Sequence, residues 1–285
     1  MRIGVIGGSG LYDLPGLTDI REESVETPFG APSDALIHGK LGAQELVFLP
    51  RHGRGHRYTP TEVPYRANMW ALKQAGCGWV ISVSAVGSLK EEIAPGDVVL
   101  VDQFIDRTRS RHSSFFGNGI VAHISFGDPV CAALRGYLLD AAREAGGTVH
   151  DRGTYVCMEG PAFSTRAESE LYRSWGCSVV GMTNLPEAKL AREAEMSYAT
   201  LAMATDYDCW RPGHDAVSVE QVVAVLHANV DLARRIVAAA VPRIAAHPGD
   251  PPAASALKNT IMTSPDLIDP ATRARMRLLV GRYLG

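Results

Sequence analysis

Short apolar runs alternate with stretches of helical periodicity along most of the chain. Each run is rich in aliphatic or β-branched residues and ends at glycine, proline or small polar residues, which is typical of buried strands. Between the runs, apolar residues recur every three to four positions and predict helices. The predicted strands are 2–6, 45–49, 79–83, 97–101, 154–158, 178–182 and 198–205, and the predicted helices are 65–74, 129–145, 167–175, 186–195 and 218–244.

This alternation predicts an α/β fold with a central parallel or mixed sheet flanked by helices. A chain of 285 residues suits one large α/β domain better than two independent ones. The proline-rich segment 247–255 predicts a linker, and residues 271–283 predict a short terminal helix. We therefore expect a domain over 1–246 and a linker with a helical tail over 247–285. The apolar residues of the tail require burial, against either the parent domain or a neighbouring subunit.

Charge and cysteine content narrow the class of protein. The net charge is -3 without a long run of one sign, which argues against nucleic acid or a membrane as the main partner. No stretch reaches the roughly 18 apolar residues of a membrane span. The five cysteines form no CxxC pair, and the N-terminal apolar run is too short for a secretion signal. These features predict a cytoplasmic protein.

Two small-residue segments that follow predicted strands suit an anion. The segment 7–10 (GGSG) contains Ser9, and the segment 82–88 (SVSAVGS) contains Ser84. Glycine lets the backbone turn tightly and direct N–H groups towards an anion, and serine adds a hydroxyl donor. Read alone, each segment is equally consistent with a structural turn. A dinucleotide fingerprint needs a third glycine where Asp13 stands, so a dinucleotide-dependent oxidoreductase is disfavoured.

A cationic segment, 50–57 (PRHGRGHR), follows another strand. The planar donor fork of Arg51 suits phosphate, and His52 beside it can donate or carry charge. His52 and His56 are four residues apart, but the glycines between them disfavour a helix and no carboxylate or thiolate ligand is local. We therefore predict no metal site. A solvated basic loop remains the alternative.

Three further segments suit a planar ligand. The loop 159–168 presents Phe163, which can stack on a base or lie in the core beneath the loop. The segment 181–184 (GMTN) ends another strand. Asp206 and Asp208 follow the last strand, where carboxylates can bond purine nitrogens or assist proton transfer to a leaving base, with a surface turn as the alternative. Together the motifs indicate phosphate or phosphoester chemistry on a planar ligand.

Seven segments together carry a specific resemblance: IGGSGLY, LPRHGRGH, SAVGSLKEEIAPGD, DQFIDRT, MEGPAFSTRAES, MTNLPEAKLAREA and MATDYDCW. From about Arg2 to Ile244 the chain resembles the methylthioadenosine phosphorylase branch of the trimeric purine nucleoside phosphorylases. The resemblance implies the single-domain nucleoside phosphorylase fold and phosphorolysis of 5'-deoxy-5'-methylthioadenosine to adenine and 5-methylthioribose 1-phosphate. It also implies inorganic phosphate as co-substrate, no cofactor, and a homotrimer, alone or as a dimer of trimers.

The resemblance also implies residue roles. The implied catalytic residues are Asp206, which promotes protonation of the base near N7, together with Arg51 and His52. The implied phosphate-binding residues are Ser9, Arg51, His52, Ser84, the backbone of Ala85, and Thr183. The implied nucleoside-binding residues are Phe163, Ser164, Met182, Asp206 and Asp208, with His123 from a neighbouring subunit and Val219, Val222 and Val223 lining an apolar 5' pocket.

Several alternatives remain open at this point. Asp206 and Asp208 favour adenine, whereas Asn184 leaves a 6-oxopurine nucleoside or methylthioinosine as an alternative substrate. A differently 5'-modified adenosine is also compatible with the valine-lined pocket. A nucleoside-binding protein without activity is disfavoured, because the phosphate residues and Asp206 are retained.

Overall fold

The structure is a computed structural model that describes residues 1–8, 10–211 and 219–284, and of residues 219–224 and 226 only the backbone. Eleven strands lie in these ranges: β1 (Arg2–Gly7), β2 (Leu17–Glu23), β3 (Leu36–Leu41), β4 (Gln44–Pro50), β5 (Cys77–Ser88), β6 (Val98–Leu100), β7 (Gln103–Asp106), β8 (Val149–Asp151), β9 (Thr154–Cys157), β10 (Val179–Gly181) and β11 (Ser197–Asp206). The helices are α1 (Tyr65–Gln74), α2 (Ala132–Glu144), α3 (Arg166–Ser174), α4 (Asn184–Glu193), α5 (Val219–Ala245) and α6 (Pro270–Leu284), with a 3-10 turn at Pro265–Leu267.

The strands form one mixed sheet in the order β2-β3-β4-β1-β5-β10-β9-β7, with β11 paired to β5 and β6, and β8 paired to β6. β1 runs parallel to β4 and β5, and β11 runs parallel to β5. β10 lies antiparallel to the end of β5. This arrangement confirms the predicted α/β fold with a mixed central sheet, and it brings the carboxyl ends of β1, β4 and β5 to one edge.

Helices cover both faces of the sheet. Successive side chains of a strand point to opposite faces, so the buried apolar strands need cover on both. On β1, Ile3 and Val5 lie in one core cluster and Ile6 in the other. The first of these clusters also contains buried residues of α2 and α5, and the second contains those of α1, α4 and α6. No helix in the described part of the chain is long and apolar enough to cross a membrane.

The prediction for the segment 79–83 stops too early. β5 continues to Ser88, so the small-residue segment expected to turn is itself part of the strand. Serine, alanine and glycine have little strand preference, but β5 is paired along its length with β1, β11 and β10. Pairing on both sides outweighs local preference here.

Four strands were not predicted from the sequence: β2, β3, β7 and β8. β2 is an edge strand of mixed charge whose seven residues are all partly or fully exposed, so it carries no apolar run. β7 and β8 are only 4 and 3 residues long. Such strands are defined by their neighbours rather than by their own pattern.

Residues after α5 pack on the side of the sheet that carries α1 and α4. Met276, Leu279 and Val280 of α6 are buried in that cluster. Ala253 donates its backbone N–H to the buried hydroxyl of Ser197, and the backbone N–H of Leu257 binds the Glu195 carboxylate. The tail therefore has a docking place on its own chain.

Candidate active site

Strand register brings the predicted motifs together. Gly7 of β1 lies opposite Pro50 of β4, so residues 8 and 51 emerge side by side. Ile6 lies opposite Ser82 of β5. Further along β5, Gly87 lies opposite Asp206 of β11. The cationic, hydroxyl-bearing and acidic segments thus share one edge of the sheet, as expected for ligand sites in α/β folds.

Arg51 is almost fully buried and is held by a carboxylate from a distant helix. Its Nε and Nη2 donate to Glu187 of α4 over 2.7 and 3.0 Å. Nη2 also donates to Ser82 Oγ at 2.6 Å, and Nη1 donates to the Val83 carbonyl at 2.9 Å. Burial opposes the charge, but the Glu187 carboxylate and its hydrogen bonds outweigh burial and raise the pKa of Arg51 above its usual value. The guanidinium is therefore permanently charged and fixed in orientation.

The Glu187 carboxylate collects four donors. Besides Arg51, the hydroxyls of Ser82 and Tyr198 donate to its Oε1, each at 2.8 Å. Asn184 Nδ2 donates to the same two hydroxyls at 3.1 and 2.9 Å. Asn184 is fully buried in this network beneath Arg51. Its described contacts are thus with the arginine support and not with the acids of β11.

A guanidinium has five N–H donors. Four of those on Arg51 are used within the described residues, and the remaining one is on Nη1 beside Val83. Val83 directly precedes Ser84. An anion bound next to Ser84 would therefore meet this donor together with the positive charge.

His52 follows Arg51 and is neutral in this environment. Its Nδ1 lies 2.8 Å from the Tyr58 carbonyl, which only accepts, so Nδ1 carries the proton. Burial is the main cause that lowers the pKa of His52 to about 4. The ring stacks on His56 with 4.2 Å between the ring centroids. At neutral pH, Nε2 is consequently a hydrogen-bond acceptor rather than a cationic donor.

Hydroxyls from separate elements meet at the middle of β5. Ser84 Oγ lies 3.4 Å from Thr183 Oγ1 and 3.2 Å from the phenol oxygen of Tyr155 on β9. All three residues are buried, while Ala85 beside them is exposed. Ser9, predicted for the same role, lies outside the described residues.

The acidic end of β11 packs against Gly87. A Cβ at Gly87 would lie 3.0 Å from Asp206 Oδ1 and 3.3 Å from Asp208 Cβ, so glycine admits both acids beside β5. Asp206 accepts hydrogen bonds from Thr205 Oγ1 and from the backbone N–H of Asp208, each at 2.7 Å. Burial raises the pKa of Asp206. Burial likewise raises the pKa of Asp208, and the hydroxyls of Ser169 and Ser164 oppose that rise.

The loop after β9 borders these acids. Ser164 directs its carbonyl towards Cys209 Sγ at 3.3 Å, next to Asp208. Phe163 remains 47% exposed, so it is available to a ligand and is not a core residue. A Cβ at Gly160 would lie 2.5 Å from the sulfur of Met182, which places Met182 against the same loop.

A single arginine ties this loop to the end of β10. The side chain of Arg111 is 1% exposed. Its Nη2 donates to the Glu159 carbonyl at 2.6 Å, and Nη1 donates to the Met182 and Leu185 carbonyls at 2.6 and 2.8 Å. Nε donates to the Glu159 carboxylate at 3.2 Å. The loops that bear Phe163 and Met182 therefore share one anchor.

Four predicted nucleoside residues are not placed at this edge by the described contacts. His123 is exposed, and its backbone N–H donates to the Thr260 carbonyl in the tail. Val219, Val222 and Val223 lie at the start of α5, and their side chains are outside the described part of the structure. Within the described ranges, no group of three His, Cys, Asp or Glu side chains is arranged to hold a metal ion.

Sequence reasoning missed Glu187, Tyr155 and Arg111. Each lies in a segment whose pattern indicates only a helix, a strand or a polar loop. Glu187 has one local signal, since an acid on the buried face of a helix requires a partner. Nothing in the pattern identifies that partner, because Arg51 lies 136 residues away.

Comparison with known proteins agrees with this geometry. The model of the phosphorylase superfamily matches residues 2–242. S-methyl-5'-thioadenosine phosphorylase of Geobacter sulfurreducens is 59% identical over 283 residues, which cover 99% of each protein. The chain belongs to the S-methyl-5'-thioadenosine phosphorylase family of the phosphorylase superfamily. This membership confirms the resemblance of the seven segments.

Solved structures of this family have the same fold. The methylthioadenosine phosphorylase from an antarctic soil metagenomic library superposes with a TM-score of 0.93 at 48% identity, covering 97% of this chain and 98% of that one. A mutant adenosine/methylthioadenosine phosphorylase from Schistosoma mansoni, in complex with methylthioadenosine, superposes with a TM-score of 0.82 at 39% identity, covering 87% and 92%. The predicted nucleoside phosphorylase fold is thereby confirmed.

Proposed function

We propose that this chain cleaves the glycosidic bond of 5'-deoxy-5'-methylthioadenosine with inorganic phosphate, releasing adenine and 5-methylthioribose 1-phosphate. The observation that carries the proposal is the position of two unlike groups along β5. Ser84, beside the charge of Arg51, and Gly87, beside Asp206, are three residues apart. At about 3.3 Å per residue this is roughly 10 Å, the span of a phosphate and a base on opposite sides of a ribose. The Geobacter sulfurreducens relative, named for this activity, supports the assignment.

At the phosphate end, Arg51 supplies the fixed charge and Ser84 and Thr183 supply hydroxyl donors. Ser9 and the Ala85 backbone N–H complete the set. His52 contributes Nε2 as an acceptor, which suits the remaining proton of a hydrogen phosphate ion. A preorganised set of donors and charge of this kind is the principal means by which enzymes stabilise developing charge.

At the base end, Asp206 faces the leaving purine. As the carbon–nitrogen bond stretches, the ribose becomes oxocarbenium-like and adenine gains electron density that requires a proton near N7. Burial raises the pKa of Asp206, so its carboxyl binds a proton more readily than an exposed aspartate. The phosphate dianion stabilises the sugar cation and then forms the new bond to C1'. The electron pair of the broken carbon–nitrogen bond stays on the base, the Asp206 carboxyl gives its proton to N7, and the resulting carboxylate is protonated again from solvent. No metal or organic cofactor takes part in this proposal.

The choice of nucleoside depends on hydrogen-bond acceptors near the base and on an apolar pocket for the 5' substituent. Asp206 and Asp208 accept from the 6-amino group of adenine, whereas a 6-oxo group would place oxygen against carboxylate. Phe163 and Ser164 border the base, and Met182 lies against the ribose. The resemblance assigns Val219, Val222 and Val223 to the 5' pocket, and a pocket of valines would prefer methylthio to hydroxyl.

We also propose a cytoplasmic homotrimer, alone or paired as a dimer of trimers. His123 is exposed and lies on a segment that pairs with residues 260–263 of the tail, with Ala122 opposite Ile261. An exposed histidine held by two chain segments suits a residue that enters the 5' pocket of a neighbouring subunit. The site then combines the residues of one chain with His123 of its neighbour.

The decisive assay incubates the purified chain with methylthioadenosine, adenosine, inosine and methylthioinosine, each with and without phosphate, and measures free base by chromatography. We expect phosphate-dependent release of adenine, fastest from methylthioadenosine. The variant Asp206→Asn retains the side-chain volume. We expect its kcat/KM for methylthioadenosine to fall at least tenfold, since one hydrogen bond to a charged group contributes about 1.5–3 kcal/mol. Preferential release of hypoxanthine would contradict the base assignment, and absence of any phosphate-dependent release would contradict the proposed reaction.

A further inference from the structure

Tyr155 lies directly beneath two of the hydroxyl-bearing residues assigned to phosphate. It is fully buried, and its phenol oxygen is 3.2 Å from Ser84 Oγ. The backbone N–H of Thr183 donates to the same oxygen over 3.4 Å. Ser84 belongs to β5, whereas Thr183 precedes α4. One phenol therefore connects two segments that approach the anion from different elements.

The surroundings hold the ring in one position. A Cβ at Gly181 would lie 2.0 Å from the phenol oxygen and 2.5 Å from Cζ, so the phenol packs directly on a glycine backbone. Phe104, opposite Tyr155 in the pairing of β7 with β9, packs against the ring in a T-shaped arrangement with 5.8 Å between the ring centroids. The hydroxyl of Tyr155 consequently has little freedom to turn away from Ser84.

The directions of the hydrogen bonds between Tyr155, Thr183 and Ser84 follow from which of their groups can donate. The Thr183 N–H can only donate, so the phenol oxygen accepts it. Burial raises the pKa of Tyr155 further above its ordinary value, and the phenol therefore keeps its proton. Either hydroxyl can donate across the 3.2 Å contact between Tyr155 and Ser84, but the phenol proton has no other acceptor among the described contacts, which favours donation from Tyr155 to Ser84 Oγ. Ser84 is left with its own hydrogen to donate.

That hydrogen has only weak partners among the described residues. The Ala85 carbonyl and Thr183 Oγ1 each lie 3.4 Å from Ser84 Oγ, which is longer than the roughly 2.5–3.0 Å usual for O–H donors. A phosphate oxygen would be a stronger acceptor, because charge-assisted hydrogen bonds are shorter and about twice as strong as neutral ones. The arrangement leaves a donor ready for an anion.

We propose that Tyr155 is a positioning residue for the phosphate co-substrate, which acts by holding the Ser84 hydroxyl as a donor. The proposal rests on the proposed function, since it assigns phosphate to Ser84. Tyr155 itself touches no substrate.

The test is Tyr155→Phe, which removes the hydroxyl and keeps the ring. We expect the KM for phosphate to rise about tenfold, the effect of one correctly directed hydrogen bond. The KM for methylthioadenosine and kcat at saturating phosphate should remain within twofold of wild type. A merely structural role would instead alter both KM values together.

A control and a double variant sharpen the result. Tyr137→Phe is the control. It removes another phenol hydrogen bond, the 2.8 Å contact between Tyr137 on α2 and His247, and both KM values should remain unchanged. In the Ser84→Ala background, adding Tyr155→Phe should alter the phosphate KM by less than twofold, because the residue through which Tyr155 acts is gone. Additive effects, or an unchanged phosphate KM in Tyr155→Phe, would overturn the proposal.

Calorimetric titration with inorganic phosphate separates this proposal from the proposed reaction. Tyr155→Phe should bind phosphate about tenfold more weakly than wild type even if none of the nucleosides tested is a substrate. Equal phosphate affinities would reject the role of Tyr155 whatever nucleoside is cleaved. Thermal unfolding of each variant confirms that the fold is retained.

Discussion

Charged residues at this site depend on partners that fix their protonation and direction. Arg51 can remain charged in its buried position because the Glu187 carboxylate offsets the cost of burial. Removing one partner of such a buried pair typically lowers the free energy of unfolding by about 3–5 kcal/mol. His52 shows the opposite effect, since its environment holds it neutral. The same segment thus contains one permanent cation and one neutral acceptor, although both residues look cationic in the sequence.

His52 makes the stability of the chain depend on pH in a defined direction. Its pKa is about 4 in the folded chain and about 6.5 when unfolded. Between these values the unfolded chain binds more protons, so the free energy of unfolding rises with pH. In His52→Gln this part of the dependence should vanish, so that wild type loses about 1–2 kcal/mol more than the variant between pH 7 and pH 5.

Urea unfolding at the two pH values measures this difference. His227→Gln, at an exposed position of α5, is the control and should retain the wild-type dependence. Identical pH dependence in wild type and His52→Gln would show that His52 is not held neutral by burial.

At the scale of elements, the site is assembled from strand ends whose loops need anchoring. Arg111 provides this anchor for the loops after β9 and β10, and its Nη1 also donates to the Tyr65 hydroxyl on α1 at 3.1 Å. A planar fork can reach several carbonyls at once, whereas the ammonium group of lysine is a compact point charge.

Arg111→Lys should therefore loosen the loop after β9 and also the segment between the Met182 and Leu185 carbonyls, which contains Thr183. We expect the KM for methylthioadenosine to rise about tenfold or more, and the KM for phosphate to rise as well, because Thr183 lies between two carbonyls that Arg111 anchors. Steady-state kinetics with each substrate varied in turn measures both. Arg135→Lys, which alters the salt bridge between Arg135 on α2 and Asp151 on β8, is the control and should leave both values unchanged. Unchanged KM values for both substrates would contradict the anchoring role of Arg111.

At the scale of the whole molecule, the proposed sharing of sites between chains has a direct consequence. His123→Ala and Asp206→Asn each damage every site of a pure oligomer. In mixed oligomers, a site between an Asp206-bearing chain and a His123-bearing neighbour regains both residues. With equal amounts and random assembly of trimers, about a quarter of the sites are restored.

Co-expression of the two variants, followed by assay with methylthioadenosine, should therefore give about a quarter of wild-type activity. Separately purified variants, assayed together without exchange of subunits, provide the control. Sedimentation analysis gives the number of chains. Co-expressed variants no more active than the sum of the separate ones would show that His123 does not complete a neighbour's site.

The docked tail also belongs to this scale. Glu195, two residues after the end of α4, accepts hydrogen bonds from the Leu257 backbone and from the Tyr283 hydroxyl, and these bonds hold both parts of the tail against the domain. The sequence left open whether the tail packs on its own chain, because an apolar helix face requires burial without specifying its partner. Packing of α6 beside α1 and α4 depends on surfaces formed by distant segments.

The sequence by itself determined the α/β class, most strand and helix positions and the identities of Arg51, Ser84 and Asp206 as site candidates. These depend on local patterns: apolar periodicity, turn residues, and polar groups placed directly after buried runs. Only the tertiary structure decided that β5 continues to Ser88, and that Glu187, Tyr155 and Arg111 support the site. Strand extension and buried hydrogen bonds depend on which segments pair across the sheet, and a linear pattern contains no record of partners more than a hundred residues apart.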